Sequence, residues 1–489
     1  MADMTGKNPD LFPLSLSQQN IWALERTYPG TSVNNICTTI RIEGRVDFVA
    51  LQKSLQTVLA ADSSLRTRVT LQGKTPLQYC VPYREESFPV FDFSQTSPDG
   101  IENWEMAVTR EPMPLLDAPL YRFVLFRAGE HAGGVLIKIH HILSDGWSQV
   151  LLCNRIGQIY LDLLAGRACE IAEYPDYRLH VEGEQEYLRS EAFARDRAYW
   201  EEMLRHAGEP SVLKSVKSAA VSPVGRRLSF DLPQTINHAI YSFCMYNRVS
   251  PFLVFYMALA IYFKRIGGAD RFTIGVPVFN RADYAFKQTT GMFVSTLPFS
   301  SELQDDWSLS DYSERLSEQW LELLRRAKFP FTEIQRLAEG GGREPGRLFN
   351  IALSYQDSKI LESRDASVLF SGRWHYSGYQ AEQLCIHLSN RENQRRYSVD
   401  YDYLTQLFSE QEIEAFHNCL LNILYEALSG PDKPIRRLSV LSAAERERVL
   451  YTFNNTAQPI YDHDLWAHFA RTAEQYPSRA ALICNGRRI

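Results

Sequence analysis

Apolar residues recur along this chain with two periods, and each change of period marks an element. Ile21, Trp22 and Leu24 predict a helix over residues 18–27, and the β-branched run 36–42 predicts a strand. Asp47 stands where an N-cap belongs, before a helix to Ala60 whose buried face is Leu51, Leu55, Val58 and Leu59. Residues 65–69 and 77–81 read as paired strands. Residues 121–126 and 133–142 extend the sheet, with Ala132-Gly133-Gly134 as the turn between them. An amphipathic helix follows over residues 147–164. Residues 174–195 are polar and read as a crossover, leading to a helix that carries Tyr199, Trp200 and Leu204.

The second half repeats a similar order. Strands are predicted at 227–232 and 272–278, helices at 235–247 and 251–267, and extended segments at 293–298 and 348–356. A late strand pair is predicted at 384–388 and 396–403, then a strong helix at 410–428. Helices lying on mixed sheet define an α+β fold of two related lobes. The character changes after Gly430-Pro431: 434–441 is extended, 442–451 a short helix, 454–459 a loop and 465–476 a helix. Residues 480–486 read as a strand entering a hairpin turn, with its partner missing before Ile489. An unpaired apolar strand is a poor stopping point, so the chain is expected to be cut inside a following domain.

At 489 residues the chain exceeds what a single core supports, so two sizeable domains and a fragment of a third are expected. A net charge of −6 argues against general nucleic-acid binding. No apolar run approaches a membrane span, and Met1-Ala2-Asp3-Met4-Thr5 lacks the features of a signal peptide, so a cytoplasmic protein is expected. The cysteines at 37, 80, 153, 169, 244, 385, 419 and 484 form no Cys-x-x-Cys pair and read mostly as small buried hydrophobes. His463 and His468 are not spaced for one helix face, and no metal site is expected.

The chemistry concentrates in His140-His141-Ile142-Leu143-Ser144-Asp145-Gly146, between the strand-like run 135–139 and the helix-like run from Trp147. Proton-handling groups at a strand-to-helix junction are held on firm flanks while facing a cleft. By strand parity His140 and His141 point to opposite sides. One of the pair then faces the cleft and the other points away from it.

The stretch from His140 to Ser148 resembles the signature of condensation domains in nonribosomal peptide synthetases. Leu65-Arg66-Thr67, Pro175-Asp176-Tyr177, the Gly291–Leu297 stretch, Lys328-Phe329-Pro330-Phe331, and Arg347-Leu348-Phe349-Asn350 with Ser354-Tyr355-Gln356 resemble that family's further motifs, in order. The resemblance covers residues 10–440, and residues 441–489 resemble the linker and opening strand of an adenylation domain. It implies two chloramphenicol-acetyltransferase-like lobes in a V-shaped pseudo-dimer with the active site in a tunnel between them. The expected divisions are 1–178, 179–440 and 441–489. This chain departs from the family pattern at Asn20, Ala61-Asp62-Ser63, Ser295 and Arg326-Ala327. Those departures, with Tyr28-Pro29-Gly30-Thr31-Ser32, Phe293-Val294-Ser295-Thr296 and the 348–356 stretch, resemble the starter type that opens lipopeptide synthetases. The absence of a carrier domain before residue 1 agrees with that type.

The resemblance implies amide formation. An amine on a carrier-bound aminoacyl thioester attacks a fatty acyl thioester, passes a tetrahedral intermediate and expels a thiolate. An α-amino group of pKa ~8 is roughly a tenth neutral at pH 7, so proton removal after attack matters more than activation before it. His141 is the expected base and positioning group, beside His140, Asp145 and Gly146. Asp145 is expected to pair with Arg281 across the lobes. Gly146 is expected to let the backbone approach substrate, and Ser144, Trp147, Gly291, Ser295, Tyr355 and Gln356 to line the substrate path. No intrinsic cofactor is implied: the acyl group arrives as a coenzyme A thioester or on a separate carrier, and the amino acid on the 4′-phosphopantetheine arm of a downstream peptidyl carrier domain. The expected setting is a monomer within a multidomain synthetase, with an adjoining adenylation domain, no nucleic acid and no membrane. The competing readings are an internal condensation domain joining two carrier-bound groups, a freestanding acyltransferase, an epimerase relative, and a silent recruitment platform.

Overall fold

The computed structural model describes residues 10–168, 173–216, 221–341, 347–360, 368–390, 396–457 and 464–488. Cys169, His463 and the Gln458-Pro459 end of the expected loop lie outside them. The chain forms two compact units, Met1–Val440 and Leu441–Ile489.

Within the first unit, two mixed sheets each carry helices, which meets the α+β expectation. One has five strands in the order Leu369–His375, Asn35–Glu43, Ala132–His140, Tyr121–Gly129 and Val90–Asp92. The other has six, in the order Ser295–Glu302, Arg271–Val278, Ile351–Gln356, Leu384–Ser389, Ser398–Leu404 and Gly225–Asp231. The Asp47 carboxylate accepts from the amides of Val49 and Ala50 and starts the helix Phe48–Ala61. Leu51, Leu55, Val58 and Leu59 are all buried. The helix Pro251–Gly267 is buried on nearly every side, as its almost unbroken apolar run demands. Ser250 caps its start, and Gly268, with φ +66°, takes the left-handed conformation at its end. Among the described residues no single helix is long and apolar enough to cross a membrane.

Several local expectations are corrected. The hairpin turn before the histidines is Glu130-His131, and Gly133 and Gly134 lie inside the strand Ala132–His140. A Cβ on Gly134 would come within 2.0 Å of the Ile40 carbonyl oxygen, so these glycines serve close strand approach and not chain reversal. That strand stops at His140, not residue 142. The polar crossover is helical at Arg178–Tyr187, anchored by the single buried apolar residue Val181. Ile435–Arg437 is a short 3₁₀ turn and not an extended run. Two described cysteines, Cys37 and Cys153, are fully buried; Cys80 and Cys484 are exposed because they end short strands at the surface.

The strand Leu369–His375 had no sequence signal, because its run Leu-Phe-Ser-Gly-Arg-Trp-His does not alternate. It crosses from the second half of the chain to pair antiparallel with Asn35–Glu43 in the first sheet.

In the second unit, Ile483–Cys484 pairs with Arg487–Arg488, so the final strand does have a partner. Asn485 and Gly486 both have positive φ, 50° and 76°, as a two-residue hairpin turn requires. So tight a turn leaves room for a return strand before the last residue, against the expectation of an unpaired strand.

Candidate active site

The strand Ala132–His140 delivers both histidines to a three-residue turn, and Asp145 then caps the helix Gly146–Leu164 by accepting from the Ser148 amide at 2.9 Å. The turn is pinned from the first half of the chain. The His141 amide donates to the Asn34 carbonyl at 2.7 Å, and Gln18 Nε2 donates to the Ile142 carbonyl at 2.9 Å. Gln18 is itself buried against Gln78. These glutamines carried no sequence signal, since one glutamine in a helix resembles any other.

His140 is 2% exposed. Its Nδ1 accepts from the Ile142 amide at 3.1 Å, which leaves the ring proton on Nε2, 3.5 Å from the Glu25 carboxylate. Burial pushes Glu25 up, but hydrogen bonds from His140 and Asn34 hold it below the usual carboxylate range overall. His140 is thus a core histidine with both nitrogens engaged.

His141 is only half-buried. Its Nδ1 is buried without a partner, so Nε2 is the nitrogen open to a ligand. Burial lowers its pKa, against smaller opposing effects from its own backbone and Asp145. The ring is therefore neutral at pH 7, the form that accepts a proton.

Asp145 has no accessible surface. Arg281 holds both oxygens, Nη1 to Oδ2 at 2.7 Å and Nη2 to Oδ1 at 3.0 Å. The Phe293 and Val294 amides donate to Oδ2 at 3.1 and 3.3 Å. Burial alone would raise this carboxyl, but Arg281 and the amides bring it below its ordinary value. Arg281 also reaches Ser148 Oγ at 2.7 Å and lies 4.0 Å over the Phe293 ring. Every lone pair is taken, so this carboxylate joins the two halves of the chain and has none left for a substrate proton.

Gly291 exchanges hydrogen bonds with Ser148 Oγ through both its amide and its carbonyl. A Cβ there would come within 2.1 Å of the Tyr177 ring, and Tyr177 is buried with its hydroxyl on Ser15 Oγ at 2.8 Å. Gly291→Ala is therefore expected to destabilise the protein by about 1–3 kcal/mol, checked by the midpoint of chemical denaturation. Gly146 is exposed, and a Cβ there meets nothing within 4 Å. Gly146→Ala is expected to fold normally.

Trp147 donates from Nε1 to the Lys287 carbonyl at 2.9 Å and meets Phe279 edge-on at 4.9 Å. Ser144 is fully buried, with its hydroxyl on the Asp145 carbonyl at 3.2 Å, so it faces packing and no open space, against the expectation of a substrate contact. Ser295 is buried at the wall of a cavity lined also by Asn20, His180, Glu184, Phe286 and Phe331. Asn280 and Ala282 put that cavity beside the Asp145–Arg281 bridge, although His141 does not line it. Tyr355 packs on the core of the second half, and Gln356 lies in a polar group with Ser354 and His387. Asp62, where the family pattern departs, forms a second buried bridge: Arg155 Nη1 at 2.9 Å and Thr290 Oγ1 at 2.6 Å meet its Oδ2.

The profile of the condensation-domain family matches residues 8–450. The chain belongs to that family. It is 31% identical over 445 residues to surfactin synthase subunit 1 of Bacillus subtilis (strain 168), covering 90% of this chain and 12% of that protein. It is 27% identical to a plipastatin synthase subunit of the same organism, over 97% of this chain and 19% of the relative. The chain thus spans under a fifth of these curated relatives. Among solved structures it resembles the starter condensation domain of rhizomide synthetase, in a mutant form in complex with C8-CoA (TM-score 0.78, 22% identity, 88% of this chain and 98% of that one). The first condensation domain of the CDA synthetase superposes equally well, with TM-score 0.78, 22% identity, and 88% and 99% coverage.

Proposed function

We propose that this chain is a starter condensation domain: it N-acylates a carrier-bound aminoacyl thioester with a fatty acyl group delivered as a coenzyme A thioester. The observation that carries the amide-forming part is the placement of His141, a neutral imidazole with Nε2 open, on a turn pinned by Asn34, Gln18 and the Asp145–Arg281 bridge. The attacking amine adds to the thioester carbonyl. His141 Nε2 orients that amine and takes its proton once the carbon–nitrogen bond has formed, and the intermediate expels the thiolate. Holding two thioesters in register supplies much of the rate. Asp145 and Arg281 are positioning residues that hold the turn. Gly146 leaves the approach beside His141 open and Trp147 borders it, while Ser295 lines the cavity next to the Asp145–Arg281 bridge.

The starter assignment draws on the Tyr28–Ser32, 293–296 and 348–356 stretches and on the solved starter domain whose described ligand is C8-CoA. Residues 441–489 are read as a linker and the start of an adenylation domain, following lobes 1–178 and 179–440. Donor competition tests the assignment. An acyl-CoA should support turnover with an aminoacyl-pantetheine acceptor, and a carrier-bound peptidyl donor should not.

The pH dependence follows from the lowered pKa of His141. A depressed pKa keeps the imidazole neutral as pH falls, so once the acceptor amine's own titration near ~8 is divided out with His141→Ala as reference, the acid limb that depends on His141 is expected to have its midpoint below ~6.5, the unperturbed value. A midpoint at or above that value contradicts His141 as the group titrating.

A further inference from the structure

A second reactive cluster lies on the six-stranded sheet. One face of that sheet packs on the core through Leu353, Ile386, Leu388 and Tyr401, all buried. The opposite face is polar. On it Ser354 and His387 are register partners on adjacent parallel strands, and Asp402 stands on the next strand. Ser354 Oγ lies 2.7 Å from His387 Nδ1, and His387 Nε2 lies 3.1 Å from Asp402 Oδ2. Arg227 grips Asp402 with two bonds of 2.7 and 2.8 Å, and Gln356 Nε2 sits 3.4 Å from Ser354 Oγ.

The protonation pattern follows from the partners. Burial raises the Asp402 carboxyl, but Arg227 more than offsets this and brings it to about 2. An ionised carboxylate only accepts, so the His387 nitrogen facing it, Nε2, is the one that carries a proton. Nδ1 is then an acceptor, and the Ser354 hydroxyl donates to it. Hydroxyl, imidazole and carboxylate thus stand in the order nucleophile, base and orienting group, on three rigid strands. Ser354 and His387 are partly accessible, and Asp402 is buried.

We propose that Ser354 is a second nucleophile, with His387 as its base and Asp402 as orienting group, and that it hydrolyses acyl thioesters. Ser354 Oγ bonds to the thioester carbonyl carbon while its proton passes to His387 Nδ1. The carbon–sulfur bond breaks, and the thiolate takes that proton and leaves as a thiol. Water then attacks the acyl-serine ester with His387 again as base. The products are a free acid and regenerated Ser354. Among the described residues Gln356 is the one side-chain amide donor bonded to the nucleophile, and a missing oxyanion donor typically costs about 10²–10³ in rate. The reaction is therefore a slow discharge of acyl groups and not a match for a dedicated hydrolase. Thioester as the substrate rests on the function proposed above; Ser354 as a nucleophile does not.

The test treats the whole chain with a fluorophosphonate and maps the adduct by peptide mass spectrometry. One adduct on Ser354 is expected, with labelling at least about tenfold slower in His387→Asn. No adduct on Ser354 overturns the proposal. In parallel, an acyl-N-acetylcysteamine thioester is given to His141→Ala. Free acid is expected, and it should fall to background when Ser354→Ala is added. Labelling of Ser354 without thioester hydrolysis overturns the thioester assignment, and condensation is judged separately by its own amide product.

Discussion

His141→Ala is expected to slow amide formation by about 10²–10⁴-fold, the usual worth of a positioned general base, while its stability stays within about 1 kcal/mol of the parent. The side chain is half-buried and its Nδ1 has no side-chain partner among the described residues, so its removal strips no buried side chain of a bond. Rate and stability are thereby separated at this residue. Single-turnover product formation set beside a denaturation curve checks both, and a variant that keeps full rate contradicts the role assigned to His141. His140→Ala should behave in the opposite way. It strips the buried Ile142 amide of its acceptor and Glu25 of a donor, so it should lose stability first.

The second large effect is expected at Arg281. Arg281→Ala leaves Asp145 ionised, fully buried and without its cation, and breaking one side of such a pair costs about 3–5 kcal/mol. The pH dependence gives the sign. In the parent the Asp145 pKa is lowered, so its contribution is present above the unfolded value of ~3.9 and is lost as pH falls through the lower folded value. Without Arg281 the burial effect dominates and the folded pKa rises. The carboxyl then favours folding only while protonated, and that contribution fades as pH rises through the raised value. The difference in unfolding free energy between parent and variant should therefore be larger at neutral pH than in mild acid, about pH 4.5, close to the unfolded carboxyl value. A difference independent of pH contradicts this account of the bridge.

Elements with strong local signals were legible in the sequence: the Asp47-capped helix, the strand into His140 and the apolar helix at 251–267 all stand where periodicity and caps put them. Less legible was whatever depends on long-range partners. The strand Leu369–His375 is defined by its pairing with Asn35–Glu43, far away along the chain, and a local pattern cannot carry that. Gly133 and Gly134 read as turn residues because close strand approach and chain reversal both select glycine. At the site, parity set the two histidines on opposite sides, and the family resemblance picked His141 as the reactive one. The supports of the turn, Asn34, Gln18 and Gln78, and the Asp62–Arg155–Thr290 bridge are ordinary polar residues whose meaning lies in burial. Ser144 shows the converse: its place within the motif suggested a substrate contact, and the tight turn buries it.

The most direct test of the proposed function is mass spectrometry of this protein with a ladder of acyl-CoAs and an aminoacyl-pantetheine acceptor, beside His141→Ala. An N-acyl aminoacyl product that depends on His141 is the predicted result. Turnover only with a carrier-bound peptidyl donor, and none with any acyl-CoA, would contradict the starter assignment.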